Sequence, residues 1–176
     1  SGQTLYELYD SAHMPWEWHE ILFAHAKKVG IDIFSSPFDK TAVDLLEDLN
    51  APAYKIASFE CIDLPLIKYV AATKKPLIIS TGMANKAEIA EAVQTARDGG
   101  CQDLVLLHCV SGYPAPIENY NLETMRDMGE VFDCLVGLSD HTLDNTAALV
   151  SVALGAVVIE KHFTLDRKGG GADDSF

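Results

Sequence analysis

Two histidines and one lysine are the residues of this chain whose types and spacing invite chemistry. His141 stands in Gly137-Leu138-Ser139-Asp140-His141 and His162 in Glu160-Lys161-His162-Phe163, each at the end of a short apolar, β-branched run. Neighbouring strands of a sheet lie about 5 Å apart, so imidazoles at the same end of adjacent strands can share one divalent ion. A pair of histidine ligands leaves positions open for substrate and water, as a Lewis-acid site requires. Two separate hydrogen-bonded histidines fit the same spacing. Lys55 interrupts the apolar run Ala53-Tyr54-Lys55-Ile56-Ala57-Ser58. A lysine inside a strand is costly to bury unless it meets an anion, which makes it a candidate contact for phosphate or carboxylate. The alternative is an edge residue whose ammonium reaches back to water.

Small hydroxyls punctuate the same pattern. Ser36, Ser58, Ser80, Ser111 and Ser139, followed by His162, close successive apolar runs at separations of 22 to 31 residues, about one β-α unit each time. Ser and Thr favour strand-to-loop junctions in general. A register kept along the whole chain suits a phosphorylated or carboxylated ligand at the C-terminal ends of parallel strands. In Ser80-Thr81-Gly82-Met83, Gly82 lets an anion approach the backbone closely. Asp173, after Gly169-Gly170-Gly171, is a weak signal on its own. His108 lies within an apolar run and reads as a core or barrel-interior residue. His13, His19 and His25 share no helical face at metal-ligand spacing and read as surface or packing residues. Cys61, Cys101, Cys109 and Cys134 form no C-x-x-C pair and read as reduced packing residues.

The elements that must position these groups follow from periodicity. Residues 31–36, 54–58, 77–81, 104–110, 135–139 and 157–162 read as strands, each followed by a helix-like stretch, the signature of parallel β-α units. Asp39 caps a helix with an apolar stripe through Leu49. Asn85 and Glu88 make a capping box for a helix closed by Gly99-Gly100. Asp144 or Asn145 starts a helix through Leu154 with Gly155 as its stop, and residues 14–29 form a helix with Pro15 in its first turn and Gly30 beyond it. The chain opens in what reads as an inter-element segment. The fold class is α/β, a (β/α)8 TIM barrel represented by about six units, two short of closure. Residues 1–176 therefore read as part of the catalytic barrel of a longer protein.

Composition narrows the partners. The 176 residues carry a net charge of −13, which repels nucleic acid and anionic membrane surfaces as a whole. The apolar runs are far too short to cross a bilayer, and the start, Ser-Gly-Gln-Thr-Leu-Tyr-Glu, shows no signal-peptide blocks; the reduced cysteines fit an expected cytoplasmic location. An anionic small substrate needs a local cradle of lysine, hydroxyls and backbone N–H groups, or a cation that inverts the local field.

In order along the chain, Leu5-Tyr6-Glu7-Leu8-Tyr9, residues 16–19, Phe34-Ser35-Ser36-Pro37-Phe38, residues 53–60, Ser80-Thr81-Gly82-Met83, residues 108–114, residues 137–141 and residues 160–163 resemble the sialic acid synthase family. The similarity is greatest to its pseudaminic acid synthase branch, on Phe34-Ser35-Ser36-Pro37-Phe38, Ala57-Ser58-Phe59-Glu60 and the Tyr- and Glu-rich start. The resemblance implies a barrel followed by a small antifreeze-protein-like domain, in a domain-swapped homodimer. It implies condensation of phosphoenolpyruvate with an N-acetylated amino-sugar aldehyde, here 2,4-diacetamido-2,4,6-trideoxy-L-altrose, giving pseudaminic acid and phosphate. The N-acetylneuraminate and legionaminic acid synthases of the same family are the alternative. By this resemblance Lys55, His141 and His162 are catalytic, and His141 and His162 hold Mn²⁺ or Mg²⁺. Lys55, Ser58, Ser80 and Ser139 contact phosphoenolpyruvate, and Ser36 stands where relatives often have Thr. Ser111 stands where sialic acid synthases have Asn, and Tyr113 and Asp173 face the sugar. The proton-transfer groups and the sugar-binding arginine fall outside this chain, which alone is expected to be inactive. Two rivals remain: another phosphoenolpyruvate-using barrel synthase acting on a phosphorylated aldose, and a non-catalytic sugar-binding barrel.

Overall fold

The computed structural model describes residues 4–171 and 173–175. They fall into two compact units, one of residues 4–33 with 163–175 and one of Phe34–His162. The first unit contains α1 (Leu5–Ala12) and α2 (Trp18–Val29). Helix α1 forms where no element was expected. Its signal was present in the sequence, because Thr4 and Glu7 make a reciprocal capping box. Helix α2 starts later than periodicity suggests. The Trp18 N–H donates to the Pro15 carbonyl, so Pro15 belongs to a preceding turn and not to the first helical turn. Gly30 closes α2 in the left-handed conformation. His19 packs in place, its ring Nδ1 donating to the Trp16 carbonyl at 3.2 Å.

The second unit holds α3 (Lys40–Asp48), β1 (Tyr54–Ile56), α4 (Leu64–Ala71), β2 (Leu77–Ser80), α5 (Lys86–Gly99), β3 (Leu104–Cys109), α6 (Glu123–Phe132), β4 (Leu135–Asp140), α7 (Thr146–Ala153) and β5 (Val158–Lys161). The five strands pair in chain order and every pair is parallel. The expected caps recur: Asp39 accepts from Ala42 N at 2.9 Å, and Asn85 and Glu88 form their box. At α7 the Asp144 carboxylate, not Asn145, takes the Thr146 N–H.

Side chains alternate across each strand. Tyr54, Ile56, Leu77, Ile79, Leu104, Leu106 and Leu138 are buried on one face, where each apolar side chain contributes about 1.5–3 kcal/mol. Lys55, Ser80, Cys109, Ser139 and Glu160 lie on the other. A flat sheet would hold β1 and β5 four strand spacings apart, roughly 19 Å at about 4.8 Å each. Lys55 Nζ of β1 nevertheless lies 3.2 Å from Glu160 Oε2 of β5. The sheet is therefore curled, with both outer strands turned to a common interior: a half-barrel.

One expected strand is absent. Residues 31–36 have no ladder, and Ile31 and Phe34 are 64% and 40% exposed. Apolar, β-branched composition marks a strand only when a neighbour supplies its hydrogen bonds, and β1 pairs with β2 alone. Among the described residues no helix is long and apolar enough to cross a membrane.

Candidate active site

The C-terminal ends of β1, β2 and β3 build a polar cradle. Ser58 opens the 3-10 turn after β1, Ser80 ends β2, Cys109 ends β3 and Ser111 lies two residues beyond it. The Gly82 N–H donates to Ser58 Oγ at 3.2 Å. A Cβ at Gly82 would meet Ser111 Oγ at 2.5 Å, Ser58 Oγ at 2.9 Å and Cys109 Sγ at 3.1 Å, so glycine lets these three groups close on the backbone. Ser80 Oγ and Ser111 Oγ are buried and lack any hydrogen-bond partner, as does Glu60 Oε2. Each such group costs about 1–3 kcal/mol, which a scaffold tolerates where the groups serve a ligand.

A charged pair stands opposite. Lys55 is 7% exposed and pairs with Glu160, whose other oxygen accepts from Ser139 Oγ at 2.7 Å. Lys55 is thus a buried, paired charge and not an edge residue reaching to water.

The two histidines meet. Their ring centroids are 5.4 Å apart, and Tyr113 lies 4.2 Å from the His141 ring and 6.1 Å from the His162 ring. The Tyr113–Pro114 peptide is cis. His141 Nδ1 donates to the Val110 carbonyl at 2.9 Å and its backbone N–H donates to the Tyr120 hydroxyl at 2.7 Å. Committing Nδ1 to a carbonyl fixes the tautomer and leaves the Nε2 lone pair, 3.5 Å from Ser139 Oγ, on the other side of the ring. Burial lowers the His141 pKa, but hydrogen bonds to Cys109 and Val110 and the Glu160 charge outweigh it and raise the value. Burial pushes the Cys109 thiol up, yet its bonds to His141 and Ser58 bring it below its ordinary range. Among the described residues no three His, Cys, Asp or Glu side chains gather as a metal cage; the two adjacent imidazoles are the candidate donors, a set that fits an ion completed by substrate and water.

The structure therefore brings together Lys55, Ser58, Ser80, Ser111, Tyr113, Ser139, His141 and His162. Ser36 sits in the irregular 31–37 segment, and among the described residues no hydrogen bond ties it to the cradle. Asp173 lies exposed in a turn of the other unit. His108 is a core residue on the face opposite the cradle, bonded through Nε2 to the Tyr120 carbonyl, with burial lowering its pKa. Sequence reasoning missed Glu160, Glu60, Cys109 and Tyr120. Glu160 carried a usable signal, since a carboxylate inside one strand is the natural counterion for a lysine inside another. Burial raises the Glu60 pKa, helped by Asp63 and opposed by Lys55.

A parallel half-barrel with its hydroxyls, lysine and imidazoles at the strand C-terminal ends has the arrangement of (β/α)8 barrels, which build their sites there. Residues 1–176 match the NeuB family, and the chain belongs to it. It is 47% identical over 174 residues to the pseudaminic acid synthase of Helicobacter pylori, covering 99% of this chain and 51% of that protein. It is 46% identical over 157 residues to the N,N'-diacetyllegionaminic acid synthase of Campylobacter jejuni, covering 88% and 47%. The crystal structure of the spore coat polysaccharide biosynthesis protein SpsE from Bacillus subtilis superposes with a TM-score of 0.89 at 38% identity, covering all of this chain and 50% of that one. The chain thus spans about half the length of the relatives it matches.

Proposed function

We propose that this chain forms part of the (β/α)8 catalytic barrel of a phosphoenolpyruvate-dependent synthase that joins the enol carbon to an N-acetylated amino-sugar aldehyde and releases phosphate. The observation that carries the reading is the cradle: the Ser80 and Ser111 hydroxyls at the strand ends are buried and unpartnered, and Ser111 and Ser58 Oγ pack against Gly82. Family membership and the half-barrel support it.

In this reading Lys55 and the hydroxyls of Ser58, Ser80, Ser111 and Ser139 hold the anionic groups of phosphoenolpyruvate and stabilise the departing phosphate. His141 and His162 would hold a divalent ion, Mn²⁺ or Mg²⁺, which would supply Lewis-acid polarisation of the sugar aldehyde. The enol carbon adds to the aldehyde carbon, water adds to the carbon bearing the phosphate ester, and the C–O bond to phosphate breaks. Glu60, a half-buried carboxyl with a raised pKa and a free oxygen, is the group in this chain suited to take the proton from that water. Tyr113, over both imidazoles, orients the sugar. The rest of the protein, in a homodimer, supplies the further sugar contacts.

The sugar we assign is 2,4-diacetamido-2,4,6-trideoxy-L-altrose. A diacetamido sugar of legionaminic stereochemistry is the second reading, because the two synthases are matched at 47% and 46% identity. Phosphate release by the full-length protein with Mn²⁺ and phosphoenolpyruvate tests both. Turnover with the first sugar alone supports the assignment, and turnover with the second alone replaces it. No release with either, or with N-acetylmannosamine, from folded protein overturns the synthase reading.

A further inference from the structure

We propose that Lys161 and Asp140 form a clamp that sets the position of His141 relative to His162, making Lys161 a positioning residue for the ion. The inference rests on the reading of those histidines as ligands. Strands β4 and β5 meet in successive rungs, Ser139 opposite Glu160 and Asp140 opposite Lys161. Alternation puts the first rung on the inner face, where Ser139 bonds Glu160 and Glu160 pairs with Lys55. The second rung lies on the other face. There Lys161 Nζ donates to Asp140 Oδ2 at 2.9 Å and to the Thr142 carbonyl at 2.7 Å, while Asp140 Oδ1 accepts from the Thr142 N–H at 2.9 Å. The two residues that flank His141 are therefore both tied to the residue that precedes His162.

The placement matters because the backbone ladder ends at this rung. The strands themselves are aligned by the pairs before it, Gly137 with Val158 and Leu138 with Ile159. Beyond Asp140 and Lys161 the chain leaves the sheet, and there both histidines act. The Asp140 side chain has no exposure and that of Lys161 is 25% exposed, so the ammonium cannot swing away without leaving a carboxylate buried and unpaired. Tyr120 holds the His141 backbone by a second bond. The clamp thus fixes the approach of one ligand to the other without touching the ion or the substrate.

The test is Mn²⁺ affinity of the full-length protein by calorimetric titration, with thermal melting of each variant alongside. Lys161→Met is expected to weaken Mn²⁺ binding about 10- to 100-fold, the usual range for outer-shell partners. Lys161→Arg, which keeps the charge, should recover most of that loss. The double variant Asp140→Asn with Lys161→Met strands no charge and should show the same weakened binding while still melting cooperatively. Native-like Mn²⁺ affinity in a folded double variant overturns the clamp and leaves the metal reading intact. Failure of the native protein to bind Mn²⁺ overturns both. Loss of binding that only accompanies loss of folding in all three variants also overturns the clamp.

Discussion

The two ends of the sheet bury polar groups in opposite ways. At the strand starts, among the described residues, no buried side-chain polar atom lacks a partner. The Tyr54 hydroxyl donates to Glu47 Oε1 at 2.6 Å, Lys75 Nζ lies 2.6 Å from the same oxygen, and Arg97 donates to the Phe132 and Asp133 carbonyls. At the strand ends Ser80, Ser111 and Glu60 keep buried atoms without partners. Two glutamates summarise the contrast. Burial raises the Glu47 pKa, but hydrogen bonds from Lys75 and Tyr54 outweigh it and hold the value down. Burial of Glu60, with Asp63 nearby, wins over Lys55 and holds that value up. Partnered polar groups at the starts stabilise the fold; unpartnered ones at the ends cost stability, and a ligand can recover that cost.

The sharpest way to break this comparison is to remove one lysine at each end of the full-length protein. Lys55→Ala should raise the KM for phosphoenolpyruvate about 10- to 100-fold, the loss of about 1.5–3 kcal/mol from a charged hydrogen bond. Lys75→Ala should leave that KM within about twofold and lower stability by about 1 kcal/mol or less, as its pair is partly solvated. Equal KM values in steady-state kinetics for the two variants would erase the distinction. Next in size, Ser80→Ala with Ser111→Ala should raise unfolding stability in denaturant melts by roughly 1 kcal/mol while weakening phosphoenolpyruvate binding, because each hydroxyl is removed from a site where it lacks a partner. A marked loss of stability would mean that those hydroxyls are satisfied in solution.

The smallest effect is in pH. Glu47, with its depressed pKa, contributes stability that is present above the unfolded value and lost as pH falls through the folded one. Glu60, with its raised pKa, does the reverse: folding favours its protonated form, and stability is lost as pH rises from the unfolded value through the folded one. Melting temperatures across pH should therefore show Glu60→Gln gaining on the native protein toward neutral pH and Glu47→Gln losing ground there. Parallel curves for both variants would contradict the assignment of opposite environments.

Much of the site was legible because its residues are locally anomalous. Lys55 is a charge in an apolar run, His141 and His162 end two such runs, and Ser80 and Ser111 mark strand ends. Glu160 was overlooked because its meaning depends on Lys55, more than 100 residues earlier in the chain, and only the curl of the sheet joins them. Residues 31–36 read as a strand on composition, but a ladder is non-local and no neighbour supplies one. Ser36 loses its strand-end place for the same reason. Tyr120 carries no local signal, because its role lies in a hydroxyl that accepts from the His141 backbone N–H across 21 residues.

The most direct measurement is a crystal structure of the full-length protein with phosphoenolpyruvate bound. The account predicts its anionic oxygens within hydrogen-bond distance, roughly 2.7–3.2 Å, of Lys55 Nζ and of the Ser80 and Ser111 hydroxyls. A ligand bound elsewhere, with both hydroxyls still unpartnered, would contradict it.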